Sequence, residues 1–321
     1  MIKDNIYFHN VEEITKDGKL LRFNEKLINN LGCDTHQRGR FYGYRAIGSE
    51  LRFKTDAGFF DITLLSYKES SRVYVFYGDY MDKAYTLKEG VISTLHIEIP
   101  EKIYLNYDVL PKKNFNPRVI RIIIGYPGYV SYLGLNAFSH KIELPNEYDM
   151  PKKKLLIYGS SISHGSEALE YINSYAFILS RMLGIDVLNK SIPGSCQAEI
   201  GMTDYLSQIK CDAAFIEFGV NVLQLYNKEM YKEHLDYLLS KIKVKKYLTS
   251  VLDNGSILNS NSTELTHLNE FRQYARLLNN VVYINERDLL PEFSSLTADL
   301  LHPSDFGQMQ IALGLAKNIE I

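Results

Sequence analysis

The chain has 321 residues, of which 45 % are hydrophobic and 23 % charged, a composition typical of a soluble globular protein long enough for two domains of ordinary size. Thirty-six Lys and Arg against 38 Asp and Glu leave a net charge of −2, which gives no electrostatic reason to expect nucleic acid or an anionic membrane as a partner. The three cysteines, Cys33, Cys196 and Cys211, form no CxxC pair, which argues against a disulfide framework and against a zinc site. Residues 1–10 carry charges instead of the apolar run of a signal peptide, and no stretch of ~18 apolar residues could span a bilayer. A cytoplasmic location is therefore expected, unless an export signal has been trimmed away.

In chain order, residues 1–150 read as a β-sandwich domain. Segments 49–55, 59–65, 72–77, 93–99 and 118–124 are short and rich in β-branched or aromatic residues. Several alternate, as in Glu50-Leu51-Arg52-Phe53-Lys54. Turn residues punctuate them: Asp56-Ala57-Gly58, Gly78-Asp79, Pro127-Gly128. Short strands at this spacing predict a sandwich of jelly-roll type, and 14 of the 24 tyrosines fall here, which suits half-buried pleated surfaces.

The texture changes near Pro145 and Pro151, and residues 151–321 read as a second domain. After Lys152-Lys153-Lys154, a basic run read as a solvated linker, comes the apolar strand Leu155-Leu156-Ile157-Tyr158. Further strands are expected at 186–188, 213–218, 247–251 and 281–284. Helical patterns lie between them: Tyr231, Leu235, Leu238 and Ile242 at i, i+4, i+7, i+11, and Leu268, Phe271, Ala275 and Leu278 at i, i+3, i+7, i+10. Residues 174–183 form another, with Gly184 as its stop. Apolar strands alternating with helices predict a parallel sheet covered on both faces, an α/β class, with any site at the carboxyl ends of the strands.

Four segments carry chemistry. The first strand leads into Gly159-Ser160-Ser161-Ile162-Ser163-His164-Gly165. The second leads into Asn189-Lys190-Ser191-Ile192-Pro193-Gly194-Ser195, and the third into Glu217-Phe218-Gly219-Val220-Asn221. Near the C-terminus stands Asp299-Leu300-Leu301-His302-Pro303, before a helix that Ser304 can cap. Acyl transfer by a serine needs a hydroxyl, a base, a group that fixes the base's tautomer, and donors for the developing oxyanion. Ser161 in a glycine-flanked strand-to-helix turn supplies the first and His302 the second. Asp299, three residues before His302, supplies the third. The N–H groups of Ser161 and Gly194 and the amide of Asn221 are the natural oxyanion donors.

This constellation resembles the SGNH (GDSL-type) hydrolase superfamily, whose four blocks are headed by Ser, Gly, Asn and His. They map in order to Ser161, Gly194, Asn221 and His302, with Asp299 to His302 as the DxxH. The resemblance spans roughly 152–321 and implies a three-layer α/β/α domain that uses no cofactor. The first half looks like the β-sandwich that precedes the hydrolase domain in some bacterial members, several of them carbohydrate esterases. The sequence departs from the family in two places: Ser160 stands where Asp is usual, and Val222 stands where an acidic or polar residue usually follows the Asn. The expected activity is hydrolysis of small acyl esters, above all acetyl, on carbohydrate or another alcohol. An O-acyltransferase using the same site, or an idle carbohydrate-binding module, are the alternatives.

Each residue also has a plainer reading. A serine after a strand is usually an N-cap, Asp299 could be a loop carboxylate, and Gly194 and Asn221 could serve only their turns. It is the four blocks in order that favour the catalytic reading. Ser160 and Ser163 read as turn-bonding residues, His164 as a surface or rim residue, and Cys196 as a small core residue. Eight scattered histidines without HxxxH or HxH spacing imply no metal site, and no phosphate-binding glycine motif occurs. Loops 194–201 and 220–228 are the expected walls of the cleft, and Arg38, Arg40 and Arg45 are candidates to face the alcohol part of a substrate.

Overall fold

The computed structural model describes residues 1–32 and 37–321; Cys33, one of the cysteines weighed above, lies outside the described residues. The chain forms two compact units. One comprises Met1–Glu25 with Gly43–Lys152, the other Lys26–Tyr42 with Lys153–Ile321. The segment Lys26–Tyr42, which the sequence texture grouped with the first half, packs with the second unit. Leu27, Ile28 and Leu31 are buried there, and the Gly32 N–H donates to Glu199 Oε1 at 3.1 Å. Burial of these apolar residues decides where the segment belongs.

The first unit is built on two larger antiparallel sheets, together with the two-stranded pair Glu13–Ile14 and Leu20–Leu21. The larger runs, in spatial order, Ile2–Lys3, Ile6–His9, Glu50–Thr55, Ile120–Ile124, Ser71–Tyr77, Tyr80–Leu87, with Ile142–Glu143 also paired to Glu50–Thr55. The smaller runs Val130–Asn136, Phe59–Ser66, Ile92–Glu98. Alternation puts Leu51, Phe53, Val73, Val75, Ile120 and Ile122 on one face of the large sheet. There they share a core with Phe60, Ile62, Leu64, Ile97 and Val130 of the small one. The strand Tyr80–Leu87 was not expected from sequence. It is an edge strand, and its Asp82 and Lys83 break the apolar signal while guarding the edge against further pairing.

The opposite face of the large sheet buries charge. Arg121 grips Glu50 in a bidentate pair, with Nε to Oε2 at 2.8 Å and Nη2 to Oε1 at 2.7 Å, and Arg52 Nε reaches the same Oε2 at 2.8 Å. Phe115 stacks beneath both guanidinium groups, 3.8 Å from Arg121 and 4.8 Å from Arg52. Burial alone would raise the Glu50 pKa, but the charges of Arg121 and Arg52 outweigh it and hold the carboxyl far below the ordinary range.

The second unit has a parallel sheet in the order Asp186–Asn189, Lys154–Tyr158, Ala213–Glu217, Lys245–Thr249, Val282–Tyr283. Leu155, Ile157, Phe215 and Tyr247 face one side, where they pack with Tyr175 and Leu179 of helix Tyr175–Leu183 and Ile311 and Leu315 of helix Asp305–Asn318. Leu156, Tyr158, Ala214, Ile216 and Leu248 are buried on the other side. Helices Ile200–Leu206, Lys228–Lys241 and Thr263–Arg276 form the remaining layer, each packed on the next. The expected caps are present. Ser174 Oγ accepts from Phe177 N–H, Gly184 takes a left-handed φ of 68°, and Ser304 Oγ accepts from Gly307 N–H. No helix among the described residues is long and apolar enough to cross a membrane.

The buried trio predicts a specific weakness. Glu50→Gln leaves two arginines buried without their counter-charge and should cost about 3–5 kcal/mol, read as a lower urea midpoint for the first unit with the slope unchanged. Because the native Glu50 pKa is depressed, its contribution is complete above the unfolded-state value and declines as pH falls towards the folded one. An unaltered midpoint would show that the trio is worth no more than its neutral replacement.

Candidate active site

Strand Lys154–Tyr158 runs out into Gly159, and Ser160 caps the helical turn Ser161–His164, its Oγ accepting from Ile162 N–H at 3.1 Å. Gly165, with φ of 94°, ends the turn in the left-handed conformation that glycine adopts without strain. Ser161 thus stands first in the turn, at the carboxyl edge of the sheet and 8 % exposed. His164, expected at the surface or rim, is instead 1 % exposed.

The loop before the last helix is tied together by Asp299. Its Oδ1 accepts from Thr297 Oγ at 2.7 Å, Leu301 N–H at 2.9 Å and His302 N–H at 3.0 Å, while its Oδ2 accepts from His302 Nδ1 at 2.6 Å. His302 Nε2 then lies 2.7 Å from Ser161 Oγ, 141 residues away in sequence. A proton held on Nδ1 by a carboxylate leaves the Nε2 lone pair for the serine hydroxyl. Partial burial would raise the Asp299 pKa, but the hydrogen bonds from the His302 ring and backbone, Thr297 and Leu301 outweigh it and keep the carboxyl ionised, well below the usual range.

The other two expected residues line a cleft of about 720 Å³ together with Asp299. Gly194 has φ of +63°, which favours glycine, and a Cβ there would come within 2.8 Å of Arg38 Cδ, so the Arg38 side chain would have to give way. Asn221 lies in the short turn Val220–Val222 and accepts from Cys196 N–H through Oδ1 at 3.0 Å. With its oxygen held there, the amide nitrogen is the part left to the cleft. Val222, the departure noted beside Asn221, is buried in the core.

Not every expectation held. The cleft walls come also from residues 254–256 and Asn259, which no motif marks, and from Leu300 and Leu301 inside the DxxH segment. The three arginines part company. Arg38 reaches the cleft, Arg40 donates to the Leu31 carbonyl at 3.1 Å, and Arg45 in the first unit donates to Tyr129 Oη at 3.2 Å. Glu217 was missed. It lies 2 % exposed beneath the Ser161 turn and bonds to Ser160 and Ser163. Its signal was available as the one charged residue in the apolar run Ala213-Ala214-Phe215-Ile216-Glu217-Phe218. No cluster of three or more His, Cys, Asp or Glu suited to a metal occurs among the described residues.

Residues 152–320 match the model of the GDSL-like lipase/acylhydrolase family. The chain belongs to that family. It is accordingly an enzyme of the carboxylic ester hydrolase class. No curated protein matches its sequence, but solved structures share its fold over nearly the whole length. Salicylyl-acyltransferase SsfX3 from a tetracycline biosynthetic pathway superposes with a TM-score of 0.80 at 13 % identity, covering 98 % of this chain and 94 % of that one. A family two carbohydrate esterase from Cellvibrio japonicus gives 0.62 at 14 %, covering 98 % and 94 %. An acetyl xylan esterase, Est2A, from the rumen bacterium Butyrivibrio proteoclasticus gives 0.59 at 13 %, covering 99 % and 95 %. At such identities the likeness is one of fold.

The packing at Gly194 can be checked directly. Gly194→Ala should destabilise the second unit by about 1–2 kcal/mol from the left-handed backbone alone, a loss of roughly 2–4 °C in thermal midpoint per kcal/mol. A midpoint equal to wild type in calorimetry would mean that the loop relaxes away from Arg38 at no cost.

Proposed function

We propose that the chain is a serine esterase acting on small acyl esters, acetyl above all, with Ser161 as nucleophile, His302 as general base and Asp299 as the residue that orients it. The observation that carries this reading is the continuous relay from Asp299 Oδ2 through the His302 ring to Ser161 Oγ, at 2.6 and 2.7 Å. In the acylation step Ser161 Oγ attacks the ester carbonyl as its proton passes to His302 Nε2, and Asp299 stabilises the imidazolium so formed. The oxyanion that develops is met by the N–H groups of Ser161 and Gly194 and the amide of Asn221. His302 returns the proton to the leaving alcohol, then activates water, which releases the acid and restores Ser161. The residues supply every proton transfer themselves, so no cofactor is called for.

Acetylated carbohydrate is the substrate class we propose. The cleft is edged by Arg38, Gln224, Asn254 and Asn259, polar groups suited to a hydroxyl-rich alcohol. Two of the similar folds belong to enzymes named as a carbohydrate esterase and an acetyl xylan esterase. The first unit, Met1–Glu25 with Gly43–Lys152, is read as jelly-roll-like from its antiparallel sheets. A second reading, O-acyl transfer by the same acyl-enzyme, is favoured by the full-length fold match to an acyltransferase. An idle binding module is disfavoured by the serine–histidine hydrogen bond.

Ser161→Ala should lower ester turnover by several orders of magnitude without loss of fold. A fluorophosphonate should label the wild type once and the variant not at all, and chelation should leave activity unchanged. Full turnover in Ser161→Ala, or activity lost to EDTA and restored by zinc, would overturn the mechanism.

Asn221→Ala should lower kcat by about 10²–10³-fold with little change in KM. A normal kcat with raised KM would instead place Asn221 in ground-state binding.

On one leaving group, acetyl esters should be cleaved faster than octanoyl esters, and product analysis with added sugar acceptors separates hydrolysis from transfer. Faster octanoyl cleavage would refute the small-acyl reading, and predominant acyl-sugar product would establish the transferase.

A further inference from the structure

Glu217 ends strand Ala213–Glu217, the neighbour in the sheet of the strand that leads to Ser161. A charged side chain is costly in such a position unless hydrogen bonds compensate for lost hydration. Here a single carboxylate oxygen, Oε2, accepts from Ser160 N–H at 2.8 Å, Ser160 Oγ–H at 2.7 Å and Ser163 Oγ–H at 3.0 Å. The donors are themselves fixed from outside. Ser160 Oγ accepts from Ile162 N–H and Ser163 Oγ accepts from Tyr175 Oη–H at 2.6 Å. Asn189 Nδ2 donates to the Ser163 carbonyl at 2.8 Å. Gly159 is confined by the same arrangement, since a Cβ there would lie 2.7 Å from Glu217 Oε2 and 2.3 Å from Ser163 Oγ.

We infer that Glu217 is a positioning residue for the nucleophile: its buried carboxylate clamps the residue before Ser161 and the residue two beyond it, and so fixes where Ser161 Oγ meets His302. The inference rests on the reading of Ser161 as nucleophile. Ser161 makes one side-chain contact in the relay, to His302 Nε2, so its placement depends on the turn that carries it. That turn is four residues long, too short to hold itself. The three donors converging on Oε2 come from the two residues that flank Ser161 and Ile162, which makes the carboxylate the common anchor of the turn. Tyr175, Cys196 and Tyr231, which feel its charge, are driven towards their neutral forms, by burial above all. Burial raises the carboxyl's own pKa, and the bonds from Ser160 and Ser163 offset that only in part, leaving it above the ordinary carboxylate range.

The test separates rate per active site from number of active sites. Glu217→Leu, Glu217→Gln and Ser163→Ala are titrated with a fluorophosphonate and assayed on an acetyl ester, with Ser161→Ala beside them. Glu217→Leu removes the anchor and should lower kcat per titrated site by about 10²-fold, with KM within about twofold of wild type and the rate of fluorophosphonate labelling slowed in parallel. Glu217→Gln keeps an oxygen acceptor without the charge and should recover to within about tenfold of wild type. Ser163→Ala removes one donor and should fall in between. If Glu217→Leu fails to fold, Glu217→Gln and Ser163→Ala decide the question. Wild-type kcat per titrated site in the folded variants, with only fewer sites, would mean that Glu217 serves stability alone and would overturn the inference. Turnover and labelling that persist in Ser161→Ala would instead refute the underlying choice of nucleophile.

Discussion

In a parallel sheet every strand ends on the same edge, and the rest of this enzyme depends on that constraint. Right-handed crossovers return the chain to the opposite edge each time, so the segments that follow strands Lys154–Tyr158, Asp186–Asn189 and Ala213–Glu217 all emerge together. The chain there needs no regular partner and is free to make turns. Ser161, Gly194 and Asn221 occupy those three turns. His302 arrives separately, on the loop before the last helix, with Asp299 of the same loop orienting its ring. The site is therefore an assembly of strand ends plus one loop, and the sheet's hydrogen-bond register sets its tolerances.

Three carboxylates show how environment divides one kind of group among different tasks. Asp299 is half-exposed and accepts four hydrogen bonds, two of them from His302, so it stays ionised and holds a ring. Glu50 is buried, but two arginines neutralise it, and it joins strands of one sheet. Glu217 is buried and its Oε2 accepts from two hydroxyls and one backbone N–H. Burial opposes ionisation in all three. The outcome differs because the compensating donors carry charge in one case, surround an exposed loop in another, and are neutral in the third.

The departures from the family pattern fit this picture. A serine stands at 160 where Asp is usual, and the carboxylate that meets this part of the turn belongs instead to Glu217, in the next strand. Val222 is no loss at Asn221, because Cys196 N–H fixes the amide. The segment Lys26–Tyr42 adds a feature with no counterpart in the four blocks. It lies early in the chain, packs into the second unit, and brings Arg38 against Gly194.

Much of this was legible in the chain itself. Alternation and turn residues marked five of the first unit's strands, because a side chain's face in a sheet depends only on local parity. Helix periodicity, the caps at Ser174 and Ser304 and the stop at Gly184 are likewise local. The turn at Ser161, Gly194, Asn221 and the Asp299–His302 pair could be picked out because four blocks stand in the order of the family pattern, each after a strand or before the last helix. What the sequence could not decide is what depends on contacts between distant residues. The Ser161–His302 bond spans 141 positions, and the wall at 254–256 carries no motif. His164 looked like a rim residue until the fold buried it. Arg38, Arg40 and Arg45 looked alike until packing sent them to three different places. Glu217 read as one charge in an apolar strand, and only the neighbouring strand, ending one turn away, gave it partners. Local conformation is a property of neighbouring residues, whereas burial and long-range hydrogen bonding exist only once the chain has closed on itself.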